Sequence, residues 1–82
     1  MKYVRFTVVQ DDGKHIELAR SYHNSAKLPS MPFSAKVRAP GVSEVRADWC
    51  TKDEKYRIWR RSDHAMYEPL ITSLEEYGQW TK

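Results

Sequence analysis

The side chains of this 82-residue chain that most often perform acid–base, nucleophilic or metal chemistry are three histidines and one cysteine. His15, His23, His64 and Cys50 stand singly, without the paired spacing of a metal site. If Cys50 lay in a strand across from Arg57, the guanidinium would lower the pKa of the thiol. A lone strand cysteine is more often a small packing residue. We therefore expect no metal, no cofactor and no internal disulfide.

A second set of residues has the chemistry to cleave RNA. Attack by the 2′-oxygen requires a base, an acid and cations that stabilise the charge on phosphorus, and this chain could supply these roles from His64, Glu17, Arg57, Arg61 and Tyr56. The segment KYRIWRR, residues 55–61, resembles the core strand of small basic toxin ribonucleases. The helical N-terminal part that this family implies has no counterpart in the pattern here. A metal-independent ribonuclease is therefore the alternative function.

The strongest signal is an aromatic ring among arginines. Trp59 has Arg57 and Arg61 on either side, and a second predicted hairpin would place Arg46 beside them. A ring surrounded by cations can stack on bases of a single strand or anchor a protein partner. It can also be covered by the C-terminal helix or by the 24–41 loop. The expected partner-binding residues are Arg46, Arg57, Trp59, Arg61, Lys52, Lys55, Lys36 and Arg38.

The first element that would position these groups is a β-hairpin. YVRFTVVQDDGKHIELARSYH has the alternation of two strands around an Asp-Gly turn. A three-residue loop with a left-handed Gly13 pairs Val8 with Ile16 and Phe6 with Leu18. That register keeps one face apolar.

A short edge strand and a second hairpin are predicted next. FSAKVRA, residues 33–39, alternates apolar and basic residues between prolines, which indicates a short edge strand. SEVRADWCT and YRIWRRSD are expected to pair around KDEK, with Thr51 opposite Tyr56. The core side would then carry Val45, Ala47, Trp49, Thr51, Tyr56 and Ile58.

The C-terminal segment EPLITSLEEYGQWTK is expected to be helical, because Leu70, Leu74 and Tyr77 fall at helical spacing. Pro69 suits a first turn, and Ser73 with Glu76 offers a later start as a capping box. The fold class is therefore α+β: one domain, residues 1–82, with an antiparallel sheet of four or five strands and one C-terminal helix. A small SH3-like or OB-like barrel is the alternative.

The charge is unevenly distributed. Residues 1–19 sum to zero, residues 20–61 to +6 and residues 62–82 to −3. One cysteine and the absence of a signal or membrane segment predict a cytoplasmic protein. We expect a small non-catalytic binding module whose partner is a protein, such as a nucleic-acid-handling complex, or single-stranded nucleic acid. As a small stand-alone domain, it resembles phage and mobile-element accessory proteins, including anti-CRISPR inhibitors.

Overall fold

The computed structural model describes residues 1–24, 28 and 30–76, which form one antiparallel sheet and two helices. The elements are β1 (Lys2–Gln10), β2 (His15–Tyr22), β3 (Phe33–Ala39), β4 (Val42–Trp49), α1 (Lys52–Ile58) and α2 (Arg61–Glu76). The strand order is β2-β1-β4-β3, so the sheet is open. The predicted α+β class is confirmed, and no barrel forms.

The first hairpin has the predicted register. Val8 pairs with Ile16 and Phe6 with Leu18. The amide of Gln10 donates to the carbonyl of Lys14 at 2.8 Å, which closes a three-residue loop. Gly13 has φ +88°, a conformation that a side chain disfavours.

The second hairpin is not the one the sequence suggested. β4 pairs with β3 on one side and with β1 on the other, and the turn between β3 and β4 is Pro40-Gly41. Gly41 has φ +76°, which suits the third position of a tight turn after proline. β3 is an edge strand, as predicted, with Ser34, Lys36 and Arg38 exposed.

The segment predicted to pair with β4 is helical instead. Thr51 is the N-cap of α1: its side chain accepts from the amide of Glu54, and the Glu54 carboxylate accepts from the amide of Thr51. No Thr51–Tyr56 strand pair exists. Arg60 donates to the carbonyls of Arg57 and Trp59, both at 3.2 Å, and so satisfies acceptors at the end of α1.

The C-terminal helix begins earlier than predicted. α2 starts at Arg61 rather than near Pro69 or at Ser73. Pro69 therefore lies inside the helix and leaves the carbonyl of Ala65 without its usual donor. Both residues are exposed, so water can solvate that carbonyl. Tyr77 lies outside the described residues.

The core lies between α2 and one face of the sheet. Tyr67, Ile71 and Leu74 recur at helical spacing and pack on the buried residues of the strands, which are Val4, Phe6, Val8, Leu18, Tyr22, Val42, Val45 and Ala47. Of the predicted core side of β4, Val45 and Ala47 are buried. Trp49 and Tyr56 are exposed, and Ile58 is only partly buried.

Polar contacts join α2 to the same face and to the β2 edge. Arg20 on β2 forms ion pairs with Glu68 and Glu75 of the helix. The side-chain amide of Gln10 donates to the hydroxyl of Tyr67 at 2.7 Å. In the described part of the chain, neither helix combines the length and apolar composition needed to cross a membrane.

Candidate functional site

Helix α1 lies against β1 and β2 and presents one face to solvent. Its inner side carries Glu54, Lys55 and Ile58, which are partly buried. The Lys55 ammonium lies 5.6 Å from the ring centroid of Tyr3, on the sheet face opposite the core. The outward side carries Lys52, Asp53, Tyr56 and Arg57, all exposed.

Two large aromatic rings, one on α1 and one at its C-cap, are open to solvent: Tyr56 and Trp59 are 62% and 44% exposed. The Lys55 ammonium lies 5.2 Å from the ring centroid of Tyr56. We call this region the α1 surface; it comprises the two rings with Lys52, Lys55 and Arg57. Among the described residues, none of these three cations forms an ion pair. Trp49, which is 48% exposed, pairs with Val4 and so lies on the core side of the sheet, where the Lys2 ammonium is 5.7 Å from its ring centroid.

Trp59 occupies the C-cap of α1, where the backbone becomes extended. Its ring lies 5.5 Å from that of His64, tilted by 37°. His64 therefore lies beside the Trp59 ring but does not cover it, since Trp59 remains 44% exposed. Trp59 is exposed, as predicted, but it belongs to a helix end and not to a strand face.

A surface cleft of about 430 Å³ opens between β2 and the junction of α1 with α2. Its polar lining comprises His15, Glu17, Arg57, Arg60 and Asp63, with Ile16 and Ile58 as the apolar part. Within the described ranges, the side chains of His15, Glu17, Arg57 and Asp63 form no hydrogen bond or ion pair. Acidic, basic and imidazole groups thus share one cleft without neutralising one another.

The predicted binding residues separate into two groups. Lys52, Lys55, Arg57, Trp59 and Arg61 lie on α1, at its C-cap or at the first residue of α2. The remaining three, Lys36, Arg38 and Arg46, lie on β3 and β4. The expectation of a single strand face is therefore wrong, because α1 is not a strand.

The β3–β4 group is partly neutralised where it lies. The Arg46 guanidinium donates to the Glu44 carboxylate at 2.9 Å, and the Ser34 hydroxyl donates to the same carboxylate at 2.8 Å. The Ser34 hydrogen bond, followed by that of Arg46, lowers the pKa of Glu44. Lys36 and Arg38 lie on β3, the edge of the sheet farthest from β2, so these two residues do not extend the α1 surface.

Sequence reasoning missed Arg60 as a site residue, and it placed Tyr56, which it named only for RNA cleavage, on the core side of a strand. The overlooked signal was Thr51-x-x-Glu54, a helix start followed by acidic residues in the first turn and basic residues in the last. Interpreted as a helix, that segment would have placed Tyr56 on the outside.

The surroundings of Cys50 disfavour its thiolate form. It follows β4 as a free, partly buried thiol, and burial, the largest influence, raises its pKa. The predicted lowering by Arg57 is wrong, since no hairpin brings the two together. The adjacent Arg5 and Asp48 form a bidentate pair at 3.1 and 2.7 Å, and that hydrogen bonding raises the pKa of the Arg5 guanidinium.

The five residues proposed for RNA cleavage are not assembled as one set. His64 is engaged elsewhere: its Nε2 accepts from the amide of Ala19 at 3.4 Å, and its Nδ1 lies 3.6 Å from the Glu68 carboxylate. KYRIWRR is helical through Ile58 and so does not form the strand that suggested the toxin family. Glu17 and Arg57 do meet, in the cleft beside β2.

In the described ranges, no group of three His, Cys, Asp or Glu side chains is placed to bind one metal ion. Comparisons with protein-family models, curated protein sequences and solved structures gave no match.

Proposed function

We propose that the protein is a binding module that holds single-stranded nucleic acid on the α1 surface. The observation that carries the proposal is the pair of exposed rings, Tyr56 and Trp59, on a helix whose cations no described acid neutralises. Bases stack on such rings, and the neighbouring ammonium and guanidinium groups bind the phosphates between them.

The charge of the surface supports this ligand. Residues 52–61 hold five basic and two acidic groups, a net charge of +3. The two acids, Asp53 and Glu54, lie in the first turn of α1, where the helix dipole stabilises them, and Glu54 is part of the cap. Three of the five basic residues, Arg57, Arg60 and Arg61, lie within two positions of Trp59 in the sequence.

A protein partner fits the same surface less well. Lysine is depleted at the centres of protein–protein interfaces, whereas here Lys55 lies directly beside the Tyr56 ring and Lys52 is exposed on the same helix. Apart from Trp49, the other large hydrophobic side chains that are strongly exposed in the described part of the chain are methionines, Met1 and Met66. The surface is thus aromatic and cationic, with little aliphatic area. Its biological role would be that of an accessory protein that occupies exposed strands and blocks a nucleic-acid-handling complex.

The test is fluorescence anisotropy of a labelled single strand of about 16 nucleotides, titrated at about 50 mM salt. Replacing Tyr56 or Trp59 by alanine should weaken binding about 5- to 150-fold, the equivalent of one stacked base. Arg57→Ala should reduce the slope of log affinity against log salt by about 0.7, because one phosphate contact is lost.

Two control variants match these changes in chemistry but lie elsewhere. Lys36→Ala removes an exposed cation from edge strand β3, and Met66→Ala truncates an exposed side chain of α2. Both should bind as the parent does. If no strand binds at low salt, the proposal is refuted and a protein becomes the class of partner to seek. Equal weakening by the controls would refute the location.

A further inference from the structure

We infer that the cleft beside β2 cleaves RNA: it promotes attack of a ribose 2′-hydroxyl on the adjacent phosphodiester. The inference rests on the proposed function, because the α1 surface would hold the strand whose phosphate enters the cleft. Arg57 belongs to both places, since it projects from α1 and lines the cleft.

The two walls of the cleft carry complementary groups. His15 and Glu17 lie two residues apart on one face of edge strand β2, so their α-carbons are about 7 Å apart. Arg57 and Arg60 face them from the end of α1 and the start of the α1–α2 junction. The spacing suits an in-line displacement, in which a base and an acid must reach oxygens on opposite sides of one phosphorus, each within about 3 Å.

The reaction balances without a metal or a redox partner. The Glu17 carboxylate takes the proton of the 2′-hydroxyl while the 2′-oxygen forms a bond to phosphorus. The bond from phosphorus to the 5′-oxygen breaks, and the His15 imidazolium gives its proton to that oxygen. The products are a 2′,3′-cyclic phosphate and a free 5′-hydroxyl. Exchange of protons with water restores both side chains.

The arginines would stabilise the additional negative charge on the phosphoryl oxygens. Arg57 is free of side-chain hydrogen bonds to other described residues, while Arg60 uses one terminal nitrogen on the carbonyls of α1 and keeps its other donors. His64, the histidine suggested by the sequence, cannot replace His15, because its nitrogens already face Ala19 and Glu68. Asp63 is the carboxylate of the cleft that has no role in the reaction and only repels a phosphate, so Asp63→Asn should bind and cleave RNA better than the parent.

The experiment compares RNA with DNA of the same sequence. End-labelled RNA is incubated with the protein in the presence of a metal chelator, and the products are tested for a cyclic phosphate terminus. His15→Gln and Glu17→Gln should each slow cleavage by about 10²- to 10⁴-fold. DNA, which lacks the nucleophile, should bind without cleavage. Both residues are exposed, so the variants should fold, which circular dichroism verifies.

Matched controls use the same substitutions outside the cleft. His23→Gln and Glu76→Gln change an exposed histidine and an exposed glutamate, and both should cleave at the parent rate. If the protein binds RNA and DNA but cleaves neither, the inference is overturned and the proposed function stands. Cleavage that survives His15→Gln and Glu17→Gln also overturns the inference. If neither strand binds nor is cut, both ideas are refuted.

Discussion

Arg20 should be the polar residue whose replacement most weakens the attachment of α2 to the sheet. It projects from the core face of β2, and its side chain is only 16% exposed. Its Nε donates to Glu68 at 2.8 Å and its Nη2 to the hydroxyl of Thr72 at 2.9 Å, while Nη1 pairs with Glu75. Arg20→Met keeps most of the stem and removes the charge.

The loss of stability in Arg20→Met comes from the carboxylates that are left without a partner. Without the guanidinium, two carboxylates face the same site, and Glu75 is only 15% exposed. Breaking a buried ion pair by removing one partner costs about 3–5 kcal/mol. Glu68 is 40% exposed, so water screens part of the loss. We expect the free energy of unfolding to fall by about 2–3 kcal/mol, a large part of the roughly 3–5 kcal/mol that a core of this size supplies.

Urea denaturation followed by circular dichroism measures the change. Arg5→Met is the matched control, because Arg5 makes a bidentate pair with Asp48 on the same sheet. That pair is more open to solvent: the side chains of Arg5 and Asp48 are 29% and 48% exposed. The free energy of unfolding of Arg5→Met should fall by no more than about 1 kcal/mol. Adding Glu68→Gln and Glu75→Gln to Arg20→Met should recover part of the stability, because the unpaired charges are removed. Equal losses for Arg20→Met and Arg5→Met would refute the reasoning.

Three other changes test the turn, the aromatic cap and a buried phenol. Gly13→Ala should cost about 1 kcal/mol in a urea titration, since φ is +88° and no atom lies within 4 Å of the added carbon; an unchanged midpoint would contradict the left-handed turn. Trp59→Ala should lower stability by no more than about 1 kcal/mol, because the ring is half exposed, whereas a loss of about 3 kcal/mol would make it a core residue. Burial raises the pKa of Tyr22 to about 12 from 10.0, so the folded phenol keeps its proton at a pH where the unfolded one loses it. The free energy of unfolding should therefore fall by roughly 2 kcal/mol between pH 10 and 12. Tyr22→Phe removes the buried hydroxyl, which has no hydrogen-bond partner among the described residues, and should abolish that part of the decline. Parallel curves of stability against pH for the two proteins would refute this assignment.

Features that depend on neighbours in sequence were accessible from the sequence. The β1–β2 register follows from alternation and from the need for a left-handed Gly13, both properties of a dozen consecutive residues. The edge character of β3 follows in the same way from its prolines and exposed basic residues. The start of α1 also has a local signal, the capping box of Thr51 and Glu54. The apparent alternation of Tyr56 and Ile58 suggested a strand instead.

The assembled site was decided by tertiary structure. A strand has generic hydrogen-bonding edges, so nothing local to β4 states that β1 and β3 are its neighbours; that choice depends on which arrangement buries Val45 and Ala47 beneath α2. With β1 and β3 on both sides of β4, the basic segment after it had no strand partner and capped itself as a helix. Only then do Arg57 and Arg60 meet His15 and Glu17, residues about forty positions away along the chain. The sequence by itself determined the first hairpin, the edge strand and the charge of the binding segment, because these depend on short-range sterics and composition. Three-dimensional packing determined which rings stay exposed and which charges share a cleft, because burial is a property of the whole chain.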